Sequence, residues 1–364
     1  METAKAISDF RFPIPDSFIF RAGVWKPRTS PYTFQGVGEE GLAWLQEVKD
    51  RYGVPVATEV ATPEHVEKAL AAGIDYLWIG ARSSANPIAV QEIANAIDRF
   101  AVRPASPVSI LIKNPVNADA ALWLGNIERL EKTGVPVIAV HRGCNHQPCW
   151  KMAHEVRLAR PDIPMLLDPS HMSGDAAQVS TLMGKIEELG LNGAMIEVHC
   201  DPEHALSDKK QQITPAYLID TLGPILSRLC LASLICAPTV LNHSARHSRS
   251  ASAPRTPSLS KPKVNWPLHT SLICPSDGQK ELNWLRAEID ELDERLWDTI
   301  AARMDVSRRI GEWKKAHGVA PLQPERYQEK SEELRAKSEE LGLAQDFVKH
   351  IWDLIHEESL KQQE

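Results

Sequence analysis

The chain has 364 residues with a formal net charge of -7, 43% hydrophobic and 24% charged residues. That length exceeds one small core and points to two domains, while the acidic balance gives no electrostatic case for nucleic acid as a partner. The most apolar run, Leu229 to Ala237, is far too short to span a bilayer, so no membrane partner is expected; six scattered cysteines and the lack of an opening signal peptide point to a reducing, cytoplasmic setting.

From the N-terminus, β-rich runs fall at residues 18–23, 55–60, 76–82, 108–114, 135–142, 164–170 and 194–199. Their apolar residues run on rather than alternate, as in parallel strands covered on both faces. Helical patterns fill the gaps. The helix over 41–53 closes on Gly53, Thr62-Pro63 reads as an N-cap followed by proline at N1, Gly73 follows that helix, and Thr214-Pro215 repeats the start signal. Alternating strands and helices predict a parallel sheet. Arg28, Glu59, Arg82, Lys113, Arg142, His171 and Glu197 each sit at or just past the C-terminal end of a strand. Polar groups at one end of every strand predict a TIM-type (β/α)8 barrel rather than a doubly wound sheet. Seven strands are counted where a barrel needs eight, and the missing one would be the first.

Taken singly, Lys26, Arg28, Arg82, Lys113 and Arg142 read as solvated loop residues. Gathered at one rim they would repel one another unless an anion neutralised them, and arginine forks match phosphate and carboxylate oxygens. A small phosphorylated substrate is the sharper expectation. His171, Glu197 and Asp208 form a second set. One imidazole and two carboxylates suit a borderline divalent ion such as manganese or iron; a hydrogen-bonded core histidine beside two surface acids is the equally open alternative.

The segments RAGVWKPRT, ATEV, WIGAR, KNPVN, HRG, DPSH and MIEVH, in this order over roughly residues 1–225, resemble the beta-type 3-deoxy-arabino-heptulosonate 7-phosphate (DAHP) synthases. The resemblance implies condensation of phosphoenolpyruvate with erythrose 4-phosphate. It implies metal ligation by His171, Glu197 and Asp208, and phosphoenolpyruvate binding by Arg21, Lys26, Arg82, Lys113 and Arg142. The KPRT segment, with catalytic Lys26, Arg28 and Thr29, would help hold the aldose phosphate. The family's first strand carries a Gly-Pro-Cys-Ser segment whose cysteine is a fourth metal ligand. Here the chain begins METAKAI, which resembles the helix after that strand, so the strand and its cysteine are expected to be absent. The short loop HRGCNHQPCW brings Cys144, His146 and Cys149 together; free loop cysteines are the favoured reading over a substitute or adventitious metal site.

Residues 230–279 change character. SARHSRSASAPRTPSLSKPKV is rich in serine and proline and lacks aliphatic periodicity, so a flexible tether is expected rather than a basic binding arm.

Residues 280–364 predict an all-α domain of three helices. Leu285, Ile289, Leu292, Leu296, Ile300 and Ile310 follow three-to-four spacing, and Gly318 and Pro321 then break the pattern. A second helix is expected over 324–341 and a third from residue 345. So thin a core calls for a homodimer. At 100° per residue, Arg303 and Lys314 fall within about 20° of one another on the helix surface. They either snorkel from the stripe's edge or enter a buried anion site. Arg286 lies about 25 Å along the helix from Arg303, so it would serve the matching pocket of a partner chain. Ser359 and Gln363 share a face at i and i+4. LRAEIDELDERL, AARMDVSRRIGEWKK, LQPERY and IHEESLKQQ resemble the all-helical chorismate mutases. The resemblance implies substrate binding by Arg286, Arg303, Arg326 and Ser359. Lys314 and Gln363 would act as the catalytic donors to the ether oxygen of chorismate, with no cofactor. Tyr327 stands where some members have a glutamate that touches the substrate hydroxyl.

The expected function is therefore a bifunctional enzyme of the shikimate pathway for aromatic amino acids. The alternatives are a chorismate mutase with an inactive or regulatory barrel, and a non-enzymatic interaction protein.

Overall fold

A computed structural model describes residues 2–8, 18–100, 108–225 and 277–363. The expected tether lies almost wholly outside these, as do Cys230, Cys236 and Cys274. The chain divides into two compact units, Met1–Glu288 and Ile289–Glu364.

The first unit opens with α1 (Glu2–Ser8) and then alternates strands with helices: β1 (Phe20–Arg21), α2 (Glu40–Tyr52), β2 (Val56–Val60), α3 (Pro63–Ala71), β3 (Tyr76–Ile79), α4 (Ala81–Ser84), α5 (Pro87–Phe100), β4 (Ser109–Lys113), α6 (Ala120–Glu131), β5 (Val137–His141), α7 (Trp150–Ala159), β6 (Met165–Leu167), α8 (Pro169–Ser173), α9 (Val179–Leu189), β7 (Gly193–Ala194) and α10 (Pro215–Tyr217). The local signals act as their chemistry requires. Gly53 ends α2 in the left-handed region at φ 64°, and the Thr62 hydroxyl accepts from His65 N to cap α3. Thr214 likewise accepts from Tyr217 N.

All seven strands are parallel and pair in sequence order from β1 to β7. The sheet curls into an incomplete barrel. Among the described residues no strand joins β1 to β7, and these two edge strands are the shortest, as expected of strands paired on one side only.

Two apolar layers show which face is which. Ala57, Trp78, Leu111, Ile138, Val140, Leu166 and Met195 pack together on the concave side. The alternate residues, such as Val56, Leu77, Ile110, Ile112, Ala139 and Leu167, pack outward against the helices. His141 follows the outward parity. It lies fully buried between Trp123 and Trp150, with ring centroids 6.2 and 5.4 Å away. The first turns of α11 (Asp277–His317) also belong to this unit. Trp284 stacks on His154 at 5.4 Å, and Asn283 donates to the carbonyl of Glu188 at 3.1 Å.

The second unit contains the rest of α11 with α12 (Pro324–Glu340) and α13 (Gln345–Lys361). Gly311 lets α11 approach the chain end, since a Cβ there would sit 2.6 Å from Cα of Gln363. The apolar stripe is only partly used. Ile289, Leu292, Leu296 and Ile310 stay 56%, 58%, 53% and 43% exposed, and Trp297 and Trp313 flank them at 67% and 57%. Three thin helices do not cover both sides of the longest one.

Burial pushes His141 from 6.5 down to about 3. Between those values the unfolded chain binds a proton that the folded chain refuses, so stability is lost as pH falls from about 6.5 towards 3. Urea unfolding of the first unit, followed at a series of pH values, should show this decline, and His141→Phe should flatten it.

Candidate active sites

Strand alternation builds the first site. Arg21, Glu59, Lys113, Arg142, Asp168 and Glu197 each stand two residues beyond a position of the concave apolar layer. A period of two therefore turns all six inward at the C-terminal rim. Of these, Glu59, Lys113 and Arg142 line a cleft of about 310 Å³, together with Lys26, Arg28, Arg82, His171 and Asp208.

Carboxylates already partner many of these cations. Lys113 and Asp168 form an ion pair at 2.7 Å with side chains 6% and 0% exposed. Asp168 also lies 3.0 Å from His171 Nδ1 and caps α8 by accepting from His171 N. Burial alone would raise the Asp168 carboxyl, but His171 and Lys113 hold it well below the usual range. Arg21 pairs with Glu197 and lies over the Trp78 ring at 5.2 Å. Burial opposes charge on Glu197 too, yet Arg21 and His171 bring it to about 2. Lys26 and Arg28 converge on Asp208, at 2.7 and 3.0 Å, and hold it far below its ordinary value against burial. Arg82 donates to the Thr29 hydroxyl at 3.3 Å, and the Arg142 backbone N–H donates to Asn114 Oδ1 at 2.7 Å.

Glu59 behaves differently. Burial raises its carboxyl above 4.5, and the nearby cations Lys113 and Lys26 only partly offset this. A carboxyl raised in this way inside a cleft is a candidate for moving a proton.

His171 Nε2 lies 3.8 Å from Glu197 Oε1, and Asp168 on Nδ1 orients the ring as second partners of metal-bound histidines do. Asp208, however, is engaged by Lys26 and Arg28. No group of three or more His, Cys, Asp or Glu that could hold a metal ion is found among the described residues. The donors as arranged do not fit a complete centre. Cys144 is buried and Cys149 half-buried, each without a disulfide, and neither completes such a group.

The second site lies within Ile289–Glu364. Arg303 donates to the Ser359 hydroxyl, and its guanidinium covers the Trp352 ring at 5.3 Å. Burial lowers the Arg303 value. Lys314, only 9% exposed, donates to the carbonyl of Pro321 at 2.6 Å and to Gln363 Oε1 at 3.0 Å. These four groups come together. Arg326 does not join them: it is exposed and pairs with Glu329. Arg286 is exposed and belongs to the first unit.

Sequence reasoning assigned no role to Glu59, Asp168, Asn114 or His356. Glu59 was visible as a strand-end acid. Asp168 stands three residues before His171, which is helix-capping spacing and a usable signal.

A curled parallel α/β sheet with phosphate-matching cations at its C-terminal rim defines the class of barrel enzymes that handle small anions. The DAHP synthetase I family matches residues 1–226, and the chain belongs to that family. The chorismate mutase type II family matches residues 285–364. A phospho-2-dehydro-3-deoxyheptonate aldolase of Thermotoga maritima is 32% identical over 234 residues, covering 58% of this chain and 60% of the relative. The chain thus spans about 60% of that relative's length. A crystal structure of phospho-2-dehydro-3-deoxyheptonate aldolase (DAHP synthase) from the same organism aligns with a TM-score of 0.52 and 27% identity, over 64% of this chain and 65% of that one. A 4-amino-4-deoxychorismate mutase of Streptomyces venezuelae is 38% identical over 77 residues, covering 21% of this chain and 75% of the relative.

Removing one partner of a buried pair strands the other charge. Asp168→Ala should lower the unfolding free energy of the first unit by about 3–5 kcal/mol in urea titrations.

Proposed function

We propose that the chain is a bifunctional cytoplasmic enzyme of aromatic amino-acid biosynthesis. Residues 1–229 would form the DAHP synthase domain, 230–279 the tether, and 280–364 the chorismate mutase domain. The observation that carries the reading is the pair of cation-bearing sites described above, each inside a segment that matches the corresponding family.

In the synthase, C3 of phosphoenolpyruvate attacks the aldehyde of erythrose 4-phosphate, water adds to C2, which bears the phosphate ester, and inorganic phosphate leaves from that carbon. Two anionic substrates must be held together against their repulsion. Lys113, Arg82 and Arg142 would hold phosphoenolpyruvate. Lys26, Arg28 and Thr29 would hold the aldose phosphate, with Lys26 positioned to neutralise charge at the reacting centre. Glu59 would exchange the proton that the addition of water releases. The family resemblance implies a manganese-class ion on His171, Glu197 and Asp208; His171 and Glu197 already approach one another, whereas Asp208 must first leave its two cations.

The mutase reaction is a unimolecular rearrangement that needs no cofactor. The protein must hold the compact conformer of chorismate and stabilise charge that builds on the ether oxygen. Arg303 with Ser359 would grip a carboxylate; Arg326 would have to leave Glu329 to reach it. Lys314 and Gln363 would donate to the ether oxygen. Arg286 would come from the second copy in a homodimer, which the exposed stripe along α11 favours.

Turnover of both reactions by the full chain tests the proposal, the first with manganese and with a chelator. Lys314→Ala should lower mutase turnover by orders of magnitude with helicity retained; near-normal turnover would sink the mutase assignment. An active mutase beside a silent synthase would leave the barrel as a scaffold.

Sedimentation should report a dimer. Leu292→Glu, on the uncovered stripe, should shift the chain to monomer and reduce mutase turnover, because each pocket then loses its Arg286.

A further inference from the structure

The four groups gathered in the second unit share one property. Arg303 and Lys314 are donors with no acceptor capacity. Ser359 accepts from Arg303 and gives its own proton to the carbonyl of Ile355 at 2.7 Å. Gln363 turns its oxygen to Lys314. Such a set serves carboxylates and an ether oxygen, which only accept. It offers nothing to a substrate group that has a proton to give.

One acceptor stands next to it. On α13, Trp352, His356 and Ser359 follow i, i+4 and i+7 and so share a face. His356 stacks with Trp352 at 6.0 Å, and the guanidinium of Arg303 covers the other part of this aromatic row. Tyr327 of α12 tilts over the same imidazole at 4.6 Å. Nε2 of His356 is buried and has no hydrogen-bond partner among the described residues. A buried polar atom left without a partner is costly, and in a native fold its partner is commonly a ligand or an ordered water. Burial and the neighbouring Arg303 lower the His356 value, which keeps the ring neutral and leaves one ring nitrogen free to accept. Tyr327 is not equivalent, because its hydroxyl proton is committed to Asp353, which Lys349 also holds at 2.6 Å.

We propose that His356 is a specificity-determining residue of this site, with Nε2 accepting the proton of the substrate's ring hydroxyl. The assignment rests on the mutase reading above. It completes the polar inventory: donors for two carboxylates and an ether oxygen, and one acceptor for the one hydroxyl. It also supplies a role that Tyr327, occupied by Asp353, leaves open. Loss of the acceptor should weaken the transition state only for substrates that carry the hydroxyl.

The test compares kcat/KM for chorismate with that for an analogue whose ring hydroxyl is replaced by hydrogen. The wild-type chain should prefer chorismate by on the order of tenfold or more. His356→Leu should lose that preference by falling on chorismate alone, and His356→Gln, which keeps an acceptor, should recover part of it. Circular dichroism of each variant separates misfolding from a change in recognition. A wild-type preference that persists in His356→Leu, or an equal loss on both substrates, overturns the role of His356 while leaving the mutase reading intact. Absence of turnover of either substrate by the wild-type chain overturns both.

Discussion

Asp168 holds a full charge with none of its side chain open to water, and that is tolerable only because Lys113 and His171 lie within 3.0 Å of it. The dependence runs both ways. Lys113 is almost as deeply buried, and loss of the carboxylate would strand its charge. His171 would lose the partner that fixes its ring plane. The same carboxylate caps α8, so one side chain fixes a cation, an imidazole and the start of a helix. Two further rim cations connect to this pair: Arg142 through Asn114, which follows Lys113, and Arg21 through Glu197, which lies 3.8 Å from His171.

The rim itself follows from the geometry of strands. A parallel strand covered on both faces must be apolar along most of its length, and it becomes free to carry charge only where its neighbours end. The inward parity then continues past the last apolar residue. Leu111 leads to Lys113, Val140 to Arg142 and Leu166 to Asp168. A one-residue slip in any strand would send its charge into the helical layer, so the register that packs the core also aims the site.

Much of this was legible in the sequence. Six of the seven strands fall within the β-rich runs that predict them; β7 shares only Ala194 with the run 194–199, and it and β1 are the edge strands, where a single neighbour sustains only two paired residues each. The rim cations could be read because strand ends are marked by the switch from apolar to charged. Asp168 was overlooked because an acid in a strand-to-helix turn reads first as a cap, and its second role depends on Lys113 from a strand two places away. The apolar stripe of α11 and the thinness of its core were legible, but not which stripe residues stay exposed, since periodicity gives the face that seeks burial and not what buries it. His356 was invisible for a related reason: a histidine at helical spacing among aromatics reads as core, and only the lack of a partner for Nε2 distinguishes it.

The two sites face anions from different starting points. In the barrel, Lys26 and Arg28 are already paired with Asp208, whose one charge offsets part of theirs, and Asp208 sits in a left-handed backbone conformation at φ 54° that aspartate tolerates better than most residues. A phosphate reaching those cations must compete with a carboxylate, so binding there is an exchange of one anion for another and is coupled to movement of the segment that carries Asp208. In the helical unit, Arg303 and Lys314 rest against a hydroxyl, an amide and backbone carbonyls, all neutral. A carboxylate arriving there displaces no charge, and the side chains it meets are already extended and partly desolvated. The contrast follows the chemistry. On the proposed assignment, a rearrangement would gain most from donors fixed before the substrate arrives, whereas a condensation of two phosphorylated substrates would use rim cations held by an internal carboxylate until the substrates replace it.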